Sequence, residues 1–321
     1  MPGGKPKVTL NRFNSPRGSL CTCMPKYALN PYLGRCGHGC VYCYSVKFPG
    51  FRGDARPRLS LVENIEEMAK NTRSKLPVMI SPATDPYQPL ESRFMITRRC
   101  VEVLGSHGFP LLVVTKSSLV TRDIDILRGT KAVVAMTVTT LSDEKARVIE
   151  PNAPPPSERI EALERVADEG IAAVARIDPL IPTFNDGDAE LEDLVRALAG
   201  AGVKHITVST LKLVRGSASM IRRADPELLR RLWPLYRHGT WIKGYRYLPV
   251  ELRRSIVARA RSIVLRSGIT FGTCREGFSG LNTSLCDGTA YCRGQGLLRG
   301  SSGGDGFLLG GEIGTGAGSR K

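Results

Sequence analysis

The chain has no apolar run near the roughly 20 residues that a membrane-spanning helix needs, and its first residues, Met1-Pro-Gly-Gly-Lys5, carry no apolar signal region. No membrane partner is expected, and the expected location is the cytoplasm. Acidic residues are also short: 30 Asp and Glu stand against 46 Lys and Arg, a net charge of +16. An excess of that size favours a polyanionic partner, most simply nucleic acid, through phosphate contacts and counterion release. A disulfide framework is missing too. Nine cysteines in 321 residues, an odd number, do not look like a secreted scaffold; in a reducing compartment they read better as metal ligands or reactive thiols. Hydrophobic content of 41% is ordinary and sufficient for a full core, as one α/β barrel or as two domains.

Three of the cysteines sit in one short loop, Cys36-Gly-His-Gly-Cys40-Val-Tyr-Cys43. Glycines at 37 and 39 allow the turn that brings three thiolates together without strain. The count falls one short of closure. A structural zinc site takes four ligands and a simple iron–sulfur cluster four cysteines, so three leave one metal position open for chemistry. The alternative is a zinc knuckle completed by His38 or by a distant cysteine, although His38 fits a loop-packing role better.

After the loop, Ser60 and Glu63 form a candidate capping box, with Leu61, Ile65 and Met68 on one helix face. A buried strand follows at Val78–Ser81, and the pattern then repeats. Further strands are expected at Leu111–Thr115, Ala132–Thr137, Ala172–Ile177 and Val203–Ser209. Their helices are expected at Arg93–His107, Arg122–Arg128, Ser157–Glu169 and Asp188–Ala199, with Ser157 as an N-cap and Gly170 as a stop. With a first strand just ahead of the cysteine loop this makes six βα units around a parallel sheet. Chemistry in such a fold gathers beyond the carboxyl ends of the strands. Polar residues do end each one: the cysteine loop, Ser81-Pro-Ala-Thr-Asp-Pro-Tyr-Gln-Pro-Leu-Glu91, Thr115-Lys-Ser-Ser118, Thr137-Val-Thr-Thr140, Asp178-Pro and Ser209-Thr-Leu-Lys212.

The cysteine loop, within Asn30–Tyr44, and the Thr84-Asp-Pro-Tyr-Gln-Pro-Leu-Glu91 stretch resemble the radical S-adenosylmethionine (SAM) enzymes, in the branch that contains spore photoproduct lyase. The resemblance covers about residues 25–290. It implies an α/β fold, the partial (βα)6 TIM-like barrel, with a C-terminal helical and cysteine-containing extension. It also implies a [4Fe–4S] cluster on Cys36, Cys40 and Cys43, SAM on the fourth iron, reductive cleavage of SAM to a 5′-deoxyadenosyl radical, and an electron donor such as flavodoxin or ferredoxin. Tyr42 would lie against the adenine. Asp85 would meet the SAM amino group, positioned by Ser81, Thr84 and Glu91; alternatively it only caps a turn. Lys116 would face the SAM carboxylate or a substrate phosphate, or pair with Asp123. Arg159 would reach SAM or Glu150, in the Glu150-Pro-Asn-Ala-Pro154 segment.

The expected organisation is a basic irregular arm at 1–24, the core at 25–215, a basic extension at 216–292 and a Gly/Ser-rich disordered tail at 293–321. The extension carries helical segments Pro226–Tyr236 and Val250–Arg266, with Trp233, Trp241, Tyr245 and Tyr247 between basic residues, suited to base stacking or to packing on the barrel. Cys21, Cys23, Cys274, Cys286 and Cys292 are candidates for a second iron–sulfur cluster or a zinc, or remain thiols, one of which would serve as a hydrogen-atom donor by analogy with spore photoproduct lyase. Cys100 belongs in the core. The expected activity is radical SAM chemistry on nucleic acid, as lyase-like DNA repair; the alternatives are modification of tRNA or other RNA, and a non-catalytic metal-containing nucleic-acid-binding protein.

Overall fold

The computed structural model describes residues 9–293 apart from Asn14 and Pro16. Residues 1–8 of the expected arm and the expected tail beyond Arg293 lie outside the described residues.

Seven parallel strands form one sheet: β1 (Tyr27–Leu29), β2 (Val78–Ile80), β3 (Leu111–Thr115), β4 (Ala132–Thr137), β5 (Ala172–Leu180), β6 (His205–Thr210) and β7 (Thr270–Thr273), hydrogen-bonded in that order. A two-residue strand, Asn11–Arg12, adds antiparallel to β1. Runs such as Ala132-Val-Val-Ala-Met-Thr137 form the middle strands because both faces are covered: every residue of β4 and β6 is buried.

The covering helices include α1 (Leu59–Asn71), α2 (Ile96–Ser106), α3 (Pro156–Asp168), α4 (Asp188–Gly200) and α5 (Val250–Arg266). Their apolar stripes join one continuous core, in which Leu61, Leu104, Leu163, Leu194 and Val257 pack with strand residues such as Val113, Val134 and Ile206. On the other face of the sheet Leu112, Val133, Ala135 and Val174 enclose Cys292, from the turn Thr289–Arg293. Among the described residues no helix is long and apolar enough to cross a membrane.

Several local expectations shift. α1 starts at Leu59 and α3 at Pro156, so Ser60 and Ser157 lie inside their helices instead of capping them. The Arg93–His107 helix breaks at Met95, whose φ of 48° is left-handed. The buried Glu91 carboxylate causes the restart, accepting from the N–H of Thr97 (2.9 Å) and of Arg98 (3.2 Å) at the head of α2. Arg122–Arg128 is a 3-10 turn over Ser118–Asp123 followed by a single α turn at Ile124–Leu127. Both segments Pro226–Tyr236 and Val250–Arg266 are helices with those bounds.

β7 has no counterpart in the six expected units. Its sequence is short and contains Gly272, and only pairing along β6 makes it a strand. The glycine is required: a Cβ there would lie 2.8 Å from Cys286 Cα.

Leu163 is fully buried on α3. Leu163→Ala is expected to lower the unfolding free energy by about 2–5 kcal/mol in a urea titration, with an unchanged m-value.

Candidate active site

The cysteine loop leaves β1 through a small ribbon, Tyr32–Leu33 paired with Arg56–Pro57, and is then built from two tight turns. Gly39 N–H donates to Cys36 O at 3.2 Å and Cys43 N–H to Cys40 O at 3.3 Å. Gly39 takes a φ of +69°, which a side chain would strain. The loop is pinned from two sides. Val41 N–H reaches Ile149 O (3.0 Å), Asn152 N–H reaches His38 O (3.2 Å) and Asn152 Nδ2 reaches Gly37 O (3.1 Å). From the β2 side, Gln88 Oε1 accepts from Gly37 N–H at 3.2 Å. The two segments singled out beside the loop, 84–91 and 150–154, are thus the ones that hold it.

Cys36, Cys40 and Cys43, each half-buried, line a cavity of about 530 Å³ at the carboxyl ends of the strands. Tyr42, Ser81, Thr84, Asp85 and Lys116 line it too. Arg159 does not. It is 1% exposed, and its guanidinium donates through Nε and Nη1 to Pro154 O (2.7 Å), Thr137 O (3.1 Å) and the Glu150 carboxylate, while Nη2 is buried without a partner. Of the two partners weighed for it, the structure gives Glu150, whose other oxygen accepts from the Tyr42 hydroxyl. The tyrosine before the last cysteine is therefore fixed by a buried ion pair.

Asp85, 6% exposed, ties three segments together. It accepts from Tyr87 N–H (2.9 Å), as a turn cap does, from Thr115 Oγ1 (2.7 Å) and from Lys116 N–H (2.7 Å). His38 Nε2 stands 3.3 Å from Oδ2 without hydrogen-bond alignment. Burial opposes ionisation of Asp85, yet His38 and the Thr115 and Lys116 donors together hold its carboxyl below the ordinary value. Both weighed roles stay compatible with this. The carboxylate offers about four lone-pair directions, three are taken by aligned donors, and one on Oδ2 still faces its surroundings. Glu91 does not position Asp85: it is bound to α2, to Tyr32 and to Arg122 (2.8 Å). Nor does Lys116 pair with Asp123, which is held by Arg98 and Arg122. Its ammonium stands 5.6 Å from the centre of the Tyr42 ring.

Cationic side chains also line the cavity. Arg176 pairs with Asp178 (2.5 Å), and Lys212 pairs with the buried Glu276 (2.6 Å). Arg275 (3.8 Å) and Lys47 (3.7 Å) both approach the Tyr245 ring. Burial disfavours the charge on Asp178, but Arg176 and then Lys212 outweigh it and keep the carboxyl below its usual range. Sequence reasoning assigned no role to Arg176, Lys212 or Arg275. The available signal was Arg176, a single charge inside the apolar run Ala172-Ala-Val-Ala-Arg-Ile177.

The nature of the donors bears on what the loop can hold. Burial pushes the Cys40 thiol up to about 12, against the pull of Lys116, and raises Cys36 as well. Thiolates there require a metal's charge. Among the described residues the three-ligand group whose atoms lie mutually within 4.8 Å is Cys23, Cys286 and Asp287. The loop sulfurs are spread more widely than one ion takes, and His38 is turned to Asp85 and Asn152 O. No compact three-ligand group of the kind a zinc knuckle needs is found at this loop among the described residues; three cysteines are the ligand type of a cluster, where each binds its own iron.

The sequence model of the Radical SAM superfamily matches residues 30–195, more than half of the chain. The chain belongs to the radical SAM superfamily. It is accordingly an enzyme of that family, with a [4Fe–4S] cluster and SAM as the cofactors the family implies. An uncharacterized protein of Mycobacterium tuberculosis is 27% identical over 262 residues, 75% of this chain and 74% of that one. The Radical SAM Nalpha-GlyT isomerase of Pseudomonas phage M6 is 24% identical over 283 residues, 83% of this chain and 57% of the phage protein. In fold, the chain resembles spore photoproduct lyase complexed with dinucleoside spore photoproduct: TM-score 0.63 and 17% identity over 80% of this chain and 77% of that one.

The additional cysteines separate. Cys21, Cys23, Cys274 and Cys286 line the same cavity. Cys292 does not; it lies in the apolar cluster with Leu112 and Val133, its Sγ 3.4 Å from Leu111 O, and so drops out of any shared metal site. Cys100 is fully buried in the main core, as expected.

The Glu150–Arg159 pair gives a stability prediction. Arg159→Met strands a buried carboxylate and is expected to cost about 3–5 kcal/mol at neutral pH. Burial resists the charge on Glu150, but Arg159 and then Lys116 hold its pKa below 4.5. The pair therefore stabilises the chain above that value, and its contribution is lost as pH falls through the depressed folded-state pKa. Urea titrations from neutral pH downward should show the gap between variant and parent narrowing only in acid.

Proposed function

We propose that this radical SAM enzyme acts on a nucleic acid, with Cys36, Cys40 and Cys43 holding the cluster and the 530 Å³ cavity receiving SAM and a nucleotide together. The observation that carries this reading is the lining of that cavity, which holds the three thiols, Asp85 and Lys116 together with the cationic side chains of Arg176, Lys212, Arg275 and Lys47. When bound, the cluster and SAM supply one-electron cleavage of the sulfonium and a 5′-deoxyadenosyl radical that abstracts hydrogen. The chain's residues do the holding. The remaining lone pair of Asp85 suits the SAM ammonium, with Ser81 and Thr84 alongside it, and Lys116 suits the SAM carboxylate. Tyr42, locked by Glu150, presents a flat face for the adenine. The cationic residues of the lining and the net charge of +16 suit a phosphate backbone.

One likeness supports a nucleic-acid substrate: the fold of spore photoproduct lyase, a protein seen complexed with dinucleoside spore photoproduct. The decisive experiment is anaerobic. The chain is reconstituted with iron and sulfide, reduced with dithionite, and given SAM with ultraviolet-treated DNA, undamaged DNA or RNA. Production of 5′-deoxyadenosine is expected, stimulated by DNA, and absent in Cys40→Ala. Stimulation by RNA alone would move the substrate to RNA. No product with any nucleic acid from a fully loaded cluster would remove nucleic acid as the substrate.

Lys116→Met is expected to raise the KM for SAM roughly 10–100-fold, the loss of one charged contact. A KM series with the cluster content of each sample measured checks this.

A further inference from the structure

The barrel is open. Its sheet ends on one side at Asn11–Arg12 and β1 and on the other at β7, and β1 and β7 are not paired. Residues just ahead of β1 nevertheless meet the loop just after β7. Leu20 lies against Gly277, Lys26 pairs with Asp287, and Cys23 Sγ is 3.9 Å from Cys286 Sγ. Both cysteines are free thiols. An Asp287 oxygen lies within 4.8 Å of both sulfurs, while Cys21, two residues from Cys23, lines the same cavity outside that group. Three potential ligands from the two ends of the fold thus converge across the seam, with a further cysteine nearby.

The spacing discriminates between metal groups. On a tetrahedral zinc with Zn–S of about 2.3 Å, two sulfurs stand about 3.8 Å apart, which matches the Cys23–Cys286 separation. In a cluster each cysteine would bind a different iron, further from its neighbour. We propose that Cys23, Cys286 and the Asp287 carboxylate, with Cys21 drawn in as the fourth ligand, form a zinc site that closes the seam between β1 and β7.

Charge and space are consistent with such a site. Three thiolates and a carboxylate carry four negative charges; zinc and the buried ammonium of Lys26 offset three of them. Asp287 Oδ1 accepts from Thr289 N–H (3.1 Å) and Oγ1 (2.6 Å), and Oδ2, which takes Lys26, keeps a lone pair for the ion. Cys286 is set in place by its carbonyl, which accepts from Thr207 Oγ1 at 2.9 Å, and by the bare Gly272 beneath it. Zinc binding releases the three thiol protons to solvent. Cys274, beside Arg176, and Cys292, in its apolar cluster, take no part.

The site is independent of the cluster loop, so the test removes that loop's ligands. The full chain carrying Cys36→Ser, Cys40→Ser and Cys43→Ser is stripped with a chelator, dialysed against zinc and analysed by elemental mass spectrometry. About one zinc per chain is expected, with a rise in melting temperature on zinc addition. Further substitution Cys23→Ser and Cys286→Ser should reduce the zinc to background, whereas Cys292→Ser should leave it. Cobalt(II) added to the loop variant should give thiolate charge-transfer absorption and the intense visible bands of a four-coordinate ion, a readout that needs no second substitution to fold. Absence of zinc and of the cobalt bands in the loop variant would overturn the proposal, as would zinc retained without Cys23 and Cys286.

Discussion

A parallel sheet points all its strands the same way. Seven carboxyl ends therefore open onto one rim, and whatever follows each strand is delivered to a shared volume. Most features of the cavity depend on that constraint. The cysteine loop follows β1, Asp85 follows β2, Lys116 follows β3, Asp178 ends within β5, Lys212 follows β6, and Cys274 with Arg275 follows β7. Away from the rim, Cys292 and Tyr291 pack against β3 and β4.

Buried carboxylates then fix the loops relative to one another. An ionised side chain removed from water costs several kcal/mol unless its partners meet it with good geometry, so each such group draws distant segments together. Asp85 joins the β2 loop to the end of β3 and to His38. Glu150 joins Tyr42 to Arg159 on α3. Glu276 joins Lys212 to Arg253 on α5 and accepts from Thr210 N–H at 2.7 Å. Positioning by such contacts suits an enzyme whose difficult chemistry belongs to its cofactors.

The seam between β1 and β7 is the one place where the sheet does not supply backbone pairing, and polar side chains span it. That closure lies on the cavity wall, where Cys23 and Cys286 face the same volume as the cluster loop.

What the sequence alone determined was local. The loop's spacing, the alternation of strand and helix from Val78 to Thr210, and the two extension helices all rest on neighbours within one or two turns of chain, which spacing and periodicity report directly. Helix starts were misplaced because Pro156 and the Glu91 carboxylate, not the nearby serines, set the caps. The tertiary structure alone decided which groups share a partner. It gave Arg159 to Glu150 instead of the cavity, separated Cys292 from Cys286 six residues away, and turned Thr270–Thr273 into a strand. Such outcomes depend on contacts that range from the 9 residues between Glu150 and Arg159 to the 263 between Cys23 and Cys286, and no local pattern encodes a distance across the fold.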